Sequence, residues 1–337
     1  MSIYLLSFFS ITFSILIFNF FASNLRLLDK PNHRKIHKNN VPLIGGISIY
    51  TSLIFVSIFL NLENTLYLII SVSSIIILLG ILDDIKNLGY KVRLLSQIFA
   101  TLILIGSGIS ITVIEFIDTE IFQIKSLALL FTVICVVGMT NAFNFIDGID
   151  GLASGLSLLA FFSIQFFIFM NIGFDNNPEP ILVNVFIIVF IFFIFNVFTK
   201  RKIFLGDAGS NFLGFFISFL LIYYSHFSVY KIHSLQTIWC VSLPFFDFFA
   251  VFILRILNRK SPFLADNNHL HHLLYFYFKS QKITLLILLS LAISILLIGV
   301  ISINFLGNNY SLIIYIILMM VYIFFYNIIY KKIKNNG

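Results

Sequence analysis

The sequence predicts an all-α polytopic membrane protein of about eleven transmembrane helices, with the N-terminus outside and the C-terminus in the cytoplasm. Three observations carry that prediction. Of 337 residues, 60% are hydrophobic and only 10% charged, with a mean hydropathy of +1.04; soluble domains carry about 25% charged residues. The apolar residues fall in runs of about 20, the length at which a helix crosses a bilayer; barrel strands are far shorter and open sheets cannot cross lipid. Finally, nineteen of the twenty-one Lys and Arg residues lie in alternate connections between those runs.

The runs lie at about 3–23, 43–61, 65–82, 94–114, 124–143, 152–173, 180–199, 210–228, 236–257, 283–304 and 309–330. The first lacks a basic segment before its apolar stretch and reads as a retained span rather than a cleaved signal. The odd-numbered connections and the tail hold cations such as Arg26, Arg34, Lys35, Lys86, Arg93, Lys202, Arg255, Lys279 and Lys332. The even-numbered connections hold only Lys125 and Lys231, and are plain turns such as NLENT and GFDNNPEP. The positive-inside rule therefore assigns the odd connections to the cytoplasm. With no linker, repeat or low-complexity tract, residues 1–337 read as one transmembrane domain. The net charge of +7 fits loop anchoring and anionic headgroups, with no nucleic-acid partner. Cys135 and Cys240 both sit in apolar runs, which argues against a disulfide framework.

Five polar motifs occupy the odd connections. Asp29-Lys-Pro-Asn-His-Arg34-Lys35-Ile-His37 precedes Pro42 and Gly45-Gly46; its basic residues suit a phosphate or an ordinary cytoplasmic anchor. Asp83-Asp84 ends the third run. Adjacent acids there oppose the helix dipole, raise each other's proton affinity and attract a divalent cation, which suits a general base. In NAFNFIDGIDGLASG, Asn141, Asn144, Asp147 and Asp150 recur every third residue, a spacing that would share one side of a helix. In FLGDAGS, Asp207 and Ser210 could cap the eighth helix, or the turn could hold a metal and phosphate. In SPFLADNNHLHH, Asp266, His269, His271 and His272 favour phosphate contacts over zinc, since no Cys or HExxH pattern accompanies them.

The set DKPNHRKIHKNNVPLIGG, LDD, NAFNFIDGIDGLASG, FLGDAGS and SPFLADNNHLHH, in that order over residues 29 to 272, resembles the polyprenyl-phosphate N-acetylaminosugar-1-phosphate transferases. These are the WecA/TagO type of glycosyltransferase family 4, related to the phospho-MurNAc-pentapeptide translocase. The resemblance implies a phosphotransferase of the bacterial inner membrane with its active site facing the cytoplasm. Its reaction would be transfer of a sugar 1-phosphate, N-acetylglucosamine 1-phosphate foremost, from a UDP-sugar to undecaprenyl phosphate. UMP would leave and a lipid-linked cell-surface glycan, such as O-antigen or a cell-wall polymer, would begin. Mg2+ is the implied cofactor, with Mn2+ as a substitute; the bilayer is a further partner, and a homodimer is compatible with the pattern. By the same resemblance Asp83 and Asp84 are catalytic, and Asn144 and Asp207 hold the metal. Asp29, Arg34, Lys35, His37, Asn141, Asp147, Asp150, Asp266, His269, His271 and His272 would contact substrates. Asn267 departs from the family, where a basic residue often follows the aspartate, so the donor sugar is the softest implication.

Two other classes fit less well. A transporter places ionisable residues near the midplane, and here only Asp247, in PFFDFFAVF, lies deep in a run. Asp247 would pair with a neighbouring helix or face a cytoplasmic cavity. A CDP-alcohol phosphatidyltransferase would carry a DGxxAR-type signature, which is absent.

Overall fold

Helix forms wherever the chain stays apolar for a membrane's thickness. The computed structural model describes residues 3–29, 40–112, 125–259 and 268–336. Among them run α1 (Ile3–Phe21), α2 (Gly45–Ser57), α3 (Asn64–Lys86), α4 (Tyr90–Gly106), α5 (Lys125–Ile146), α6 (Leu152–Ile172) and α7 (Pro180–Val197). There follow α8 (Gly206–Ile222), α9 (Ser234–Cys240), α10 (Ser242–Leu257), α11 (Leu270–Phe278), α12 (Gln281–Leu306) and α13 (Asn308–Asn336). Each predicted run overlaps a helix, though the runs at 43–61 and 94–114 do so over only part of their length. Eight helices are long and apolar enough to cross a membrane, and α9 with α10 makes a ninth if that bent pair is one span. The two remaining runs are shorter: α2 has 13 residues and α4 has 17. The chain is thus a multi-pass helical membrane protein.

The ninth run does not stay straight. Its halves α9 and α10 meet at 76°. Pro244 explains the break: it has no N–H for the Cys240 carbonyl, and its ring would clash there in a continuous helix. The only strands among the described residues are β1 (Leu28–Asp29) and β2 (Val41–Pro42), an antiparallel pair with Asp29 opposite Val41. They close the neck of the first polar connection.

The centre of the bundle is α8, buried over almost its whole length from Gly206 to Ile222. It packs mainly along α3 and α5, with α2 and α6 completing the ring. A side chain at Gly46 or Gly80 would run into the backbone of Gly209 or Ala208. Those glycines let α2 and α3 touch the first turn of α8. Large apolar side chains elsewhere point outward, among them Phe20, Leu286 and Phe305, as a lipid-facing surface requires.

Candidate functional site

The chain enters α8 through Phe204-Leu205-Gly206. The carbonyls of Phe204 and Leu205 accept from the amides of Gly45 and Gly46, both at 2.9 Å. Leu43 forms a parallel bridge to Phe204. The β-ribbon carrying Asp29 is thereby held beside the start of α8. Gly206 has φ 75°, a left-handed conformation that favours glycine. A side chain there would also strike the Asp84 carboxylate.

Asp84 provides the cap that α8 lacks in its own sequence. Its Oδ1 accepts the Asp207 amide at 2.8 Å and its Oδ2 the Ala208 amide at 3.2 Å. A carboxylate at this end satisfies otherwise unpaired N–H groups and meets the positive end of the helix dipole. The expected self-cap does not form: the position before the helix is Leu205, with no side-chain bond. Ser210 Oγ instead donates to the Gly206 carbonyl at 3.1 Å.

Asp83, one residue earlier, turns the other way. It is 2% exposed. Arg93 Nη1 lies 3.2 Å from Asp83 Oδ2 and 3.6 Å from Asp207 Oδ2, so one guanidinium bridges both acids. One turn on from Arg93, Gln97 donates to Asn211 Oδ1 at 2.9 Å and accepts from Asn141 Nδ2 at 2.6 Å. Asn211 Nδ2 in turn donates to the Asp207 carbonyl at 2.7 Å. This amide chain ties α4, α5 and α8 together beneath Asp207. Asn141, expected to contact substrate, is thus engaged in holding Asp207 in place. Asn144 Nδ2 donates to Asp207 Oδ1 at 2.7 Å and to Ser210 Oγ at 2.9 Å. The predicted metal pair, Asn144 and Asp207, is in direct contact.

The every-third-residue series is not one helical face. Helix α5 ends at Ile146, and residues 147–151 form a turn that Gly151 closes at φ 82°. Asp147 stays inside the site. Burial, then the neighbouring charges of Asp207, Asp150 and Asp84, push its carboxyl well above the usual carboxylate range. Asp150, expected to contact substrate, pairs with Lys202. The two line a cavity of about 250 Å³ with Tyr275, Lys279 and Lys282.

The histidine motif packs onto that turn. His269 and His271 are 3% and 1% exposed. The His269 ring lies 5.4 Å from Phe145 and 5.9 Å from His271. His271 Nε2 stands against Gly148, where a side chain would collide with it. Neither ring nitrogen of His271 has a hydrogen-bond partner among the described residues. Burial, then the adjacent His272, push its imidazole well below the usual histidine range, so it stands neutral. The His272 ring is 4.0 Å from that of His271. Arg34, Lys35, His37 and Asp266 lie outside the described residues.

In the sequence Arg93 stands out only as a topological cation, and no motif singles out Gln97 or Asn211. A signal was present: Arg93 and Gln97 are four apart in a helical run, and so share a face. Asp247 found the partner that sequence left open, His269 Nδ1, at 2.7 Å.

The donors around Asp207 are carboxylate and amide oxygens, hard ligands of the kind Mg2+ prefers. Among the described residues no three Asp, Glu, His or Cys side chains are placed to enclose a metal ion. Mg2+ is commonly bound by one or two protein oxygens and otherwise by water and substrate phosphates. Asn144 would turn its amide to present Oδ1.

Comparison with known proteins points the same way. The signature described as Glycosyl transferase family 4 matches residues 66–225. The chain is 31% identical to a probable undecaprenyl-phosphate N-acetylglucosaminyl 1-phosphate transferase of Bacillus subtilis (strain 168), over 79% of this chain and 75% of that protein. Identity is also 31% to the undecaprenyl-phosphate alpha-N-acetylglucosaminyl 1-phosphate transferase of Thermotoga maritima, over 92% of both chains. The protein of that name from Escherichia coli (strain K12) is 29% identical over 75% of this chain and 70% of its own.

Proposed function

Because the chain belongs to glycosyl transferase family 4, we propose that it transfers N-acetylglucosamine 1-phosphate from UDP-N-acetylglucosamine to undecaprenyl phosphate, releasing UMP. It is a multi-pass membrane enzyme that moves a sugar phosphate. The observation that carries the reading is the carboxylate and amide cluster of Asp83, Asp207 and Asn144 at the ends of α3, α5 and α8. A polyprenyl phosphate keeps its phosphate at headgroup depth, so its reaction belongs at helix ends. Assigning the cationic connections to the cytoplasm by the positive-inside rule gives this site access to nucleotide sugars.

Both substrates are anionic and repel each other. Mg2+, when bound at Asp207 and Asn144, would neutralise the diphosphate and stabilise charge on departing UMP. In the proposed reaction an oxygen of the lipid phosphate attacks the phosphorus that bears the sugar, and the bond from that phosphorus to the UMP oxygen breaks. Asp83 is the acid available to orient the lipid phosphate or accept its remaining proton, since Asp84 commits both oxygens to the α8 cap. Arg93 is placed to exchange carboxylate for phosphate as substrates enter. His271, neutral and without a hydrogen-bond partner among the described residues, faces the Asp147 turn from the other side with His269 stacked beside it, where the sugar diphosphate would lie. Direct attack needs no covalent enzyme intermediate.

The test is purified protein with undecaprenyl phosphate, Mg2+ and a panel of UDP-sugars, scored by UMP release. UDP-N-acetylglucosamine is expected to be the best donor. Preference for another UDP-N-acetylaminosugar would move the sugar and keep the reaction, and silence with all donors would remove the reading.

A further inference from the structure

Asp247 is 3% exposed within α10, yet its carboxylate meets three polar groups among the described residues. Its Oδ2 is 2.7 Å from His269 Nδ1. Its Oδ1 accepts the Leu270 amide, at the first turn of α11, at 3.0 Å, and the Tyr322 hydroxyl of α13 at 3.1 Å. Tyr326, one turn further along α13, donates from its hydroxyl to the Asn268 carbonyl at 2.7 Å. Two helices remote in sequence therefore grip the residues on either side of His269. The ring is also held from its faces by Phe145 and His271. Its second nitrogen, Nε2, is buried with no hydrogen-bond partner among the described residues.

A buried carboxylate is costly unless its lone pairs are used, and burying one merely to support a fold is unusual. Here the carboxylate does something an apolar residue could not: it fixes which nitrogen of His269 carries the proton. With Nδ1–H committed to Asp247, Nε2 is the nitrogen left for a ligand. As an imidazolium the ring can donate Nε2–H to a phosphoryl oxygen while the carboxylate behind it balances the charge. A pair of this kind is useful where an imidazole must meet an anion in one orientation.

We infer that Asp247 is a positioning residue for the transfer reaction, acting through His269 to present Nε2 to the sugar diphosphate. Tyr322 holds the carboxylate in register. The inference rests on the sugar-phosphate transfer proposed above. It also explains why an acid sits within the apolar stretch 245–254 of α10 without making a transport pathway.

A double-mutant cycle tests it, with kcat and KM for UDP-N-acetylglucosamine measured in detergent and residual turnover followed with radiolabelled donor. Asp247→Asn is expected to lower kcat/KM by about 10–100-fold, the scale seen when an orienting partner of a working histidine is lost. The loss should fall mainly on kcat, with partial rescue in Asp247→Glu. In a His269→Ala background the same substitution should change kcat/KM by less than about twofold, because a residue acting through another has nothing left to position. If Asp247→Asn does not yield folded protein, Tyr322→Phe takes its place, with a smaller loss expected in the native background and none beside His269→Ala. Equal losses in both backgrounds would mean a merely structural role and would overturn the inference, as would native kcat/KM in Asp247→Asn. Absence of UMP release by the unmutated protein would instead remove the transfer reading, and this inference with it.

Discussion

Asp84 caps the helix that carries Asp207, its Oδ1 accepting the Asp207 amide at 2.8 Å across two transmembrane segments. Asp83 faces away, toward Arg93. Two identical neighbours in sequence thus hold different positions, one anchoring the helix and one lining the site.

Substituting the two acids should separate stability from turnover. Asp84→Asn removes one of the two acceptors at the α8 terminus, and should cost about 1–2 kcal/mol, the usual scale for a lost N-cap. Asp83→Asn should leave the melting temperature near native and lower turnover by about 100-fold, as loss of a general base does. Thermal unfolding in detergent beside UMP release distinguishes the two; equal effects on both measurements would contradict the division.

Gly206→Ala should be more damaging than its size suggests. The new methyl meets the Asp84 carboxylate, and the backbone stays at φ 75°. A loss of about 1–3 kcal/mol is expected from that strain, together with reduced turnover as Asp207 shifts. A native melting temperature would show that the cap can be rebuilt elsewhere.

Asp207→Asn is expected to abolish UMP release in protein that remains folded in the membrane. Chelation of the native protein with EDTA should have the same effect, reversed by Mg2+. Full activity in chelator would rule out the metal mechanism.

Much of this site was legible as motif. Asn144, Asp207, Asp83 and the histidines stood out as polar residues in a chain that offers few, and the structure brings them to one end of the bundle. The placement of each was not legible. Whether Asp83 or Asp84 faces the site depends on how α3 is rotated against α8, a tertiary fact set by close contacts at Gly80 and Gly206. The series from Asn141 to Asp150 looked helical because spacing cannot show that α5 stops at Ile146 and that residues 147–151 turn, with Gly151 left-handed, before α6 begins. Asp247 could be recognised as costly, but its partner lies 22 residues away on another element. The helical layout was the easiest part, since length and hydropathy alone decide it.

His271 gives a pH signature. An unperturbed imidazole titrates near about 6.5, and burial holds His271 well below that in the fold. As pH falls, the unfolded chain takes up the proton first. The contribution to stability is therefore complete above about pH 6.5 and is lost progressively below it. His271→Gln should flatten the fall in melting temperature between about pH 7.5 and 5.5. An unchanged slope would mean that His271 does not govern it.

Orientation is testable without activity. A cysteine replacing Lys200 should be labelled by an impermeant reagent only from the cytoplasm, and one replacing Asn176 only from outside. Both positions are exposed. The reverse pattern would invert the assignment drawn from the Lys and Arg distribution.

The most direct measurement is the stoichiometry of the reaction itself. Purified protein in undecaprenyl phosphate micelles, given UDP-N-acetylglucosamine and Mg2+, should form one lipid-linked sugar diphosphate for each UMP released, and Asp207→Asn should form neither. Release of UDP in place of UMP, or lipid product formed by Asp207→Asn at the native rate, would contradict the account.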